Sequence, residues 1–131
     1  THTAKLFHTP PTFTIYLVSL VLKWLENKGG LKHFEKVNSE KAELLYSTID
    51  SDDFYRGTAE LESRSKMNVT FRLPSEDLEQ QFLSEAKTHN LVALKGHRSV
   101  GGIRASIYNA CELSSVKALT DFMKDFRSKN G

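Results

Sequence analysis

Between Phe13 and Leu25 the apolar residues keep to no single side. Phe13, Ile15, Leu17, Val18, Leu20, Val21, Leu22, Trp24 and Leu25 fall nearly all round a helix, and such a helix needs cover on more than one face. A chain of 131 residues is about one domain by length and would struggle to supply that cover alone, which hints at a neighbour outside the sequence. Thr14, Ser19 and Lys23 interrupt the stretch, which is well short of the ~20 apolar residues of a membrane span. No basic leader or small-residue cleavage site makes it a signal peptide. The expectation is a cytoplasmic protein with no membrane partner.

The rest of the chain has clear punctuation. Thr1–Thr9 is polar and aperiodic, so it begins as an extended piece. Pro10-Pro11 bars Thr9 from the helical region, Thr12 can cap a helix to about Lys28, and Gly29-Gly30 ends it. A second helix is expected from about Leu31 to Thr48, with Phe34, Val37, Leu44, Leu45 and Thr48 inward and Glu35, Lys36, Glu40 and Lys41 toward water. Asp50–Asp53 reads as a turn and Gly57–Ser65 as a loop.

Met67, Val69, Phe71 and Leu73 then alternate with Lys66, Asn68, Thr70 and Arg72, the period of a half-buried strand. Pro74 stops it, and Ser75 can cap a helix carrying Glu76 and Asp77 in its first turn, where the dipole favours them. Asn90 suits a left-handed terminator. Leu91–Leu94 reads as a short strand and Ile103–Tyr108 as another, and Ser115–Arg127 is a last helix with Val116, Leu119, Phe122, Met123 and Phe126 on one face. The sum is an α+β domain: a small antiparallel or mixed sheet with helices packed on one side.

Chemistry concentrates in Lys95-Gly96-His97-Arg98-Ser99-Val100-Gly101-Gly102-Ile103-Arg104. Arginine presents a planar fork that matches carboxylate or phosphate oxygens in pairs, and glycines let backbone approach an anion. A substrate with two negative groups would suit Arg98 and Arg104 at opposite ends of the turn. Spacing alone favours the plainer reading, a glycine-rich hairpin with solvated arginines. A P-loop is excluded, because Gly102-Ile103 stands where Lys-Ser/Thr is required. Lys95 reads as a solvated strand-end lysine rather than a cofactor lysine.

His8-Thr9-Pro10-Pro11-Thr12-Phe13 places an imidazole and a hydroxyl just before a helix, where they could bond a phosphate or simply mark a helix entry. His2, His33 and His89 share no ligand spacing, so no metal is expected. Cys111 is the one cysteine and reads as structural. The net charge of +2 and the scattered basic residues argue against a nucleic-acid partner.

At these segments the chain resembles the phosphoserine aminotransferase family, of the class V branch of fold-type I pyridoxal-phosphate enzymes. The resemblance rests on His8–Phe13, Ser63-Arg64-Ser65-Lys66-Met67-Asn68-Val69, Lys95–Ala110 and Ala118-Leu119-Thr120-Asp121-Phe122-Met123, and it covers nearly the whole chain from Leu6. It implies a homodimer that moves an amino group between L-glutamate and 3-phosphohydroxypyruvate, giving 2-oxoglutarate and O-phospho-L-serine for serine biosynthesis. In some bacteria the family also serves pyridoxine biosynthesis.

By that resemblance, residues 1–11 belong to a domain junction, residues 12–131 form the small C-terminal domain, and the domain that binds pyridoxal 5′-phosphate is absent from this chain. Arg104 would grip the substrate α-carboxylate. His97 and Arg98 would bind the substrate phosphate, reaching into the partner's site. His8 and Thr9 would lie against the cofactor phosphate across the dimer interface, although the family commonly has asparagine where His8 stands. The cofactor lysine is not in this chain, so the fragment alone is expected to be inactive. The alternative is a stand-alone module that captures a phosphorylated metabolite through the Arg98/Arg104 turn. A nucleic-acid binder is a third, weaker reading.

Overall fold

The computed structural model describes residues 9–131 and divides the chain into two units, one ending at Glu35 and one spanning Lys36–Gly131. The first holds α1 (Thr12–Asn27) and the start of α2 (Gly30–Ile49). Pro11, not Thr12, is the cap of α1. Thr12 is already helical, and its Oγ1 donates backward to the Pro10 carbonyl at 3.2 Å. The helix closes with the Gly29 amide on the Glu26 carbonyl at 3.0 Å. None of its 16 residues is buried, and Phe13, Val21 and Leu22 are more than half exposed.

The second unit carries the rest of α2, β1 (Arg56–Gly57), a 3-10 turn at Leu61–Ser63, β2 (Asn68–Arg72), α3 (Glu76–Thr88), β3 (Ile103–Ser106) and α4 (Leu113–Asn130). The three strands lie in the order β1-β2-β3, all antiparallel. In register, Arg56 faces Arg72, Thr70 faces Arg104 and Asn68 faces Ser106. Val69, Phe71, Ile103 and Ala105 are buried. The alternating residues Asn68, Thr70, Arg72, Arg104 and Ser106 are half-exposed, so the sheet has one apolar and one polar face.

The apolar face meets Leu45 and Ile49 of α2, Phe82 and Ala86 of α3, and Val116, Met123 and Phe126 of α4 in one core. Aromatic rings pack edge to face within it. Phe82 lies 6.0 Å from Phe71, 5.0 Å from Phe122 and 5.1 Å from Phe126 between centroids, the geometry the ring quadrupoles favour. Tyr55 is buried there, with its hydroxyl donating to the Met123 carbonyl at 2.7 Å. Burial pushes its ionisation well above the usual phenol range.

Three local expectations need correction. Gly57–Ser65 is not all loop, because Arg56 and Gly57 form an edge strand and Leu61–Ser63 a 3-10 turn. Leu91–Leu94 is not a strand. The Leu91 amide turns back to the Ala86 carbonyl at 2.9 Å, and Ala93 sits at a φ of 61°, which breaks the extended path. Only an isolated bridge, Lys95 with Ile103, survives. Asn90 does take the left-handed conformation, at a φ of 61°.

The third correction is Lys41, which is fully buried rather than facing water. Its ammonium donates to the carbonyls of Ile107 at 3.0 Å, Tyr108 at 2.8 Å and Cys111 at 3.0 Å. The chain turns sharply after β3 and leaves those oxygens aimed at α2, where three donors on one atom match three acceptors. Loss of water lowers the ammonium's pKa, against a smaller raising effect from the nearby Cys111 thiol.

Candidate functional site

The loop between Leu94 and Arg104 is closed at its base by backbone bonds. The Arg104 amide donates to the Leu94 carbonyl at 2.7 Å and the Gly96 amide to the Gly102 carbonyl at 2.9 Å. At its tip the amides of Val100 and Gly101 both donate to the His97 carbonyl, at 3.0 and 2.8 Å. Gly101 and Gly102 take φ values of 69° and 72°, a region that penalises any Cβ. Space adds a second requirement at Gly102, where a Cβ would stand 2.7 Å from Arg72 Cδ and 3.0 Å from the Phe71 carbonyl.

His97 and Arg98 project from this loop, both largely solvent-facing. The His97 ring is oriented by Ser99, whose amide donates to Nδ1 at 3.3 Å and whose Oγ lies 2.7 Å from the same nitrogen. The two residues line a cleft of about 440 Å³ together with Lys95, Arg72, Glu76 and Glu79. Basic side chains around a recess of that size suit an anion carrying several oxygens.

Arg104 does not line that cleft. It stands on the polar face of β3, opposite Thr70. Its Nε is buried and finds no acceptor among the described residues. Such a donor is costly to leave unmade and suits a carboxylate. Next to it, Ser106 Oγ and Tyr108 Oη both donate to Asn68 Oδ1, at 3.2 and 3.0 Å. The Tyr108 hydroxyl lies below the usual phenol range through its side-chain hydrogen bonding with Ser106 and then Asn68, and the Arg104 charge adds to it. The structure therefore places His97 and Arg98 on one cleft and Arg104 away from it, within residues 36–131.

Thr9 is exposed, directly before Pro10. His8 lies outside the described residues. The first turn of α1 has no side-chain cap; the Thr12 amide donates to the Pro10 carbonyl at 2.8 Å, and the Phe13 and Thr14 amides are the ones such a helix start leaves for an anion. Among the described residues no three His, Cys, Asp or Glu side chains gather as a metal site, and no helix is long and apolar enough to cross a membrane.

Sequence reasoning overlooked Arg72. Its NH1 donates to the Val100 carbonyl at 2.6 Å and its Nε lies 2.7 Å from Glu79 Oε1. The available signal was an arginine on the polar side of a strand followed four and seven residues later by Glu76 and Glu79.

The family model for class-V aminotransferases matches residues 1–119. The chain belongs to that family. Within it, the chain is 61% identical over 128 residues to the phosphoserine aminotransferase of Desulfosudis oleivorans, covering 97% of the chain and 36% of that relative. The same enzyme from Herpetosiphon aurantiacus is 53% identical, with the same coverage. Among solved structures, phosphoserine aminotransferase from Bacillus circulans subsp. alkalophilus superposes with a TM-score of 0.89 at 51% identity, over 95% of this chain and 35% of that one. The PLP-bound enzyme of Trichomonas vaginalis gives 0.84 at 42% identity, over 91% and 34%. The chain thus spans little more than a third of the length of the curated relatives it matches.

Proposed function

We propose that this chain is the small C-terminal domain of a phosphoserine aminotransferase, a cytoplasmic homodimer that exchanges an amino group between L-glutamate and 3-phosphohydroxypyruvate. The observation that carries the reading is the separation of two anion subsites, the His97–Arg98 cleft and the unpartnered Arg104 Nε. O-phospho-L-serine and its keto acid carry a phosphate at one end and a carboxylate at the other. Arg104 binds the α-carboxylate. His97 and Arg98 bind the phosphate, with the imidazole held by Ser99.

Thr9 stands just before the start of α1 and, with His8, would hold the cofactor phosphate. Pyridoxal 5′-phosphate, when bound, supplies the electron sink that lets an amino group leave one carbon skeleton for another. The residues of this chain bind and orient the substrate. The lysine that holds the cofactor belongs to the preceding domain of the proposed enzyme, so residues 1–131 alone should show no turnover.

The test is steady-state transamination by the longest native polypeptide containing this sequence. Turnover should require pyridoxal phosphate, and Arg104→Ala should lower kcat/KM about 100-fold, the worth of a paired charge-assisted hydrogen bond. No turnover from the native polypeptide would defeat the proposal. A second reading keeps some support because the cleft is built wholly within residues 36–131: a module that only binds phosphorylated metabolites. Calorimetric binding of phosphoserine without turnover would favour it.

A further inference from the structure

Arg72 is placed to hold the anion loop open and electrically usable. Its side chain is 29% exposed and runs under the turn that presents His97 and Arg98. One guanidinium nitrogen, NH1, holds the Val100 carbonyl at 2.6 Å, and another, Nε, holds Glu79 Oε1 at 2.7 Å. The aliphatic stem fills the space that a Cβ at Gly102 would need. Glu79 in turn is almost wholly buried, its side chain 6% exposed, and it also accepts from the Leu73 amide at 3.4 Å.

Two consequences follow for a multiply charged anion in the cleft. The carboxylates of Glu76 and Glu79 line the same recess as His97 and Arg98, so an arriving phosphate meets negative as well as positive charge. A buried carboxylate without its partner would repel the ligand, since charges in low dielectric act at greater strength. The bond to Val100 O also fixes the tip of the loop, where the Gly101 and Val100 amides fold back on the His97 carbonyl. Only a planar fork can hold a carbonyl and a carboxylate at once with fixed geometry.

We propose that Arg72 is a positioning residue that, with Glu79, sets the loop's affinity for the substrate phosphate by neutralising the cleft floor and pinning Val100. The proposal rests on the assignment of His97 and Arg98 to the phosphate made above. Arg72 itself need not touch the substrate.

The experiment uses the full-length, pyridoxal-phosphate-loaded polypeptide. Arg72→Gln should raise KM for 3-phosphohydroxypyruvate about tenfold or more and weaken inhibition by inorganic phosphate in step, with kcat changed less than threefold. Peptides covering residues 96–102 should take up deuterium faster. Adding Glu79→Gln should recover part of the lost affinity, because it removes the uncompensated carboxylate. Arg72→Lys keeps the charge but loses the fork and should fall between parent and Arg72→Gln.

A fall in kcat with KM, phosphate inhibition and loop exchange unchanged would mean that Arg72 serves the fold only, and the proposal would be overturned. If Arg72→Gln does not fold, Arg72→Lys and Glu79→Gln carry the same comparison. A parent polypeptide that fails to turn over the phosphorylated substrate counts against the assigned reaction, not against the hold of Arg72 on Val100 and Glu79. Exchange of residues 96–102 then still decides whether Arg72 holds the loop.

Discussion

Helix α1 and the unit from Lys36 to Gly131 draw on the same apolar residue types and use them in opposite ways. In α1 the large side chains stay exposed and not one residue is buried among the described residues. In the second unit Val69, Phe71, Phe82 and Met123 have no exposure at all. Apolar area stabilises only when it leaves water, at roughly 25 cal/mol per Å². The comparison shows that composition states how much burial a chain could have, while the elements around a residue decide how much it gets.

The largest test of that contrast is a pair of truncations. Phe82→Ala removes a ring that contacts four others and should cost about 3–5 kcal/mol of unfolding free energy. Val21→Ala in α1 should cost about 0.5 kcal/mol or less. Urea denaturation of both variants checks this, and a comparable loss from Val21→Ala would show that α1 is covered after all.

A polar change inside the second unit sharpens the comparison. Lys41→Leu has similar bulk, but it leaves the carbonyls of Ile107, Tyr108 and Cys111 without their common donor. We expect a loss of about 2–4 kcal/mol by the same measurement. A neutral result would mean that the turn after β3 finds other donors.

The smallest effect concerns acid. Arg64 donates to both carboxylate oxygens of Asp50, with NH2 at 2.8 Å from Oδ1, and that bonding holds the Asp50 carboxyl below its ordinary 3.8. A depressed folded value means that the contribution is present above about pH 4 and lost as pH falls through the folded pKa. The pair is partly exposed, so water screens it and its worth is at the low end for ion pairs. Asp50→Asn should lower stability above about pH 4 by a few tenths of a kcal/mol and flatten the acid limb below that pH by the same amount. A parallel acid limb in parent and variant would remove Asp50 from the account.

Much of the fold is legible wherever a local rule decides. The alternation from Lys66 to Leu73 becomes β2, and Ser75 accepts from the Leu78 amide at 3.2 Å as the cap of α3. Asn90 ends α3 in the left-handed region. The failures lie where distant chain decides. Lys41 is buried because of three carbonyls some seventy residues away, and β1 exists only because Arg56 and Gly57 find Arg72 and Phe71. Ala93 carries no mark of its positive φ.

For the site, residue type marked the Lys95–Arg104 segment and the family resemblance singled out His97, Arg98 and Arg104 within it. They could not say that the first two share a cleft that the third does not line. Arg72 escaped notice because its partners, Val100 and Glu79, converge on it only after β2 has paired with β3.

Gly96 has a practical consequence for anyone mapping this region by saturation mutagenesis. A methyl group there would run into the carbonyl oxygens of Gly101 and Gly102, so every substitution should register as a loss of activity. A screen scored on growth would then rank Gly96 beside His97 and Arg98, although it offers the ligand no functional group. Scoring protein abundance in parallel would separate the residue that shapes the loop from those proposed to bind the substrate phosphate.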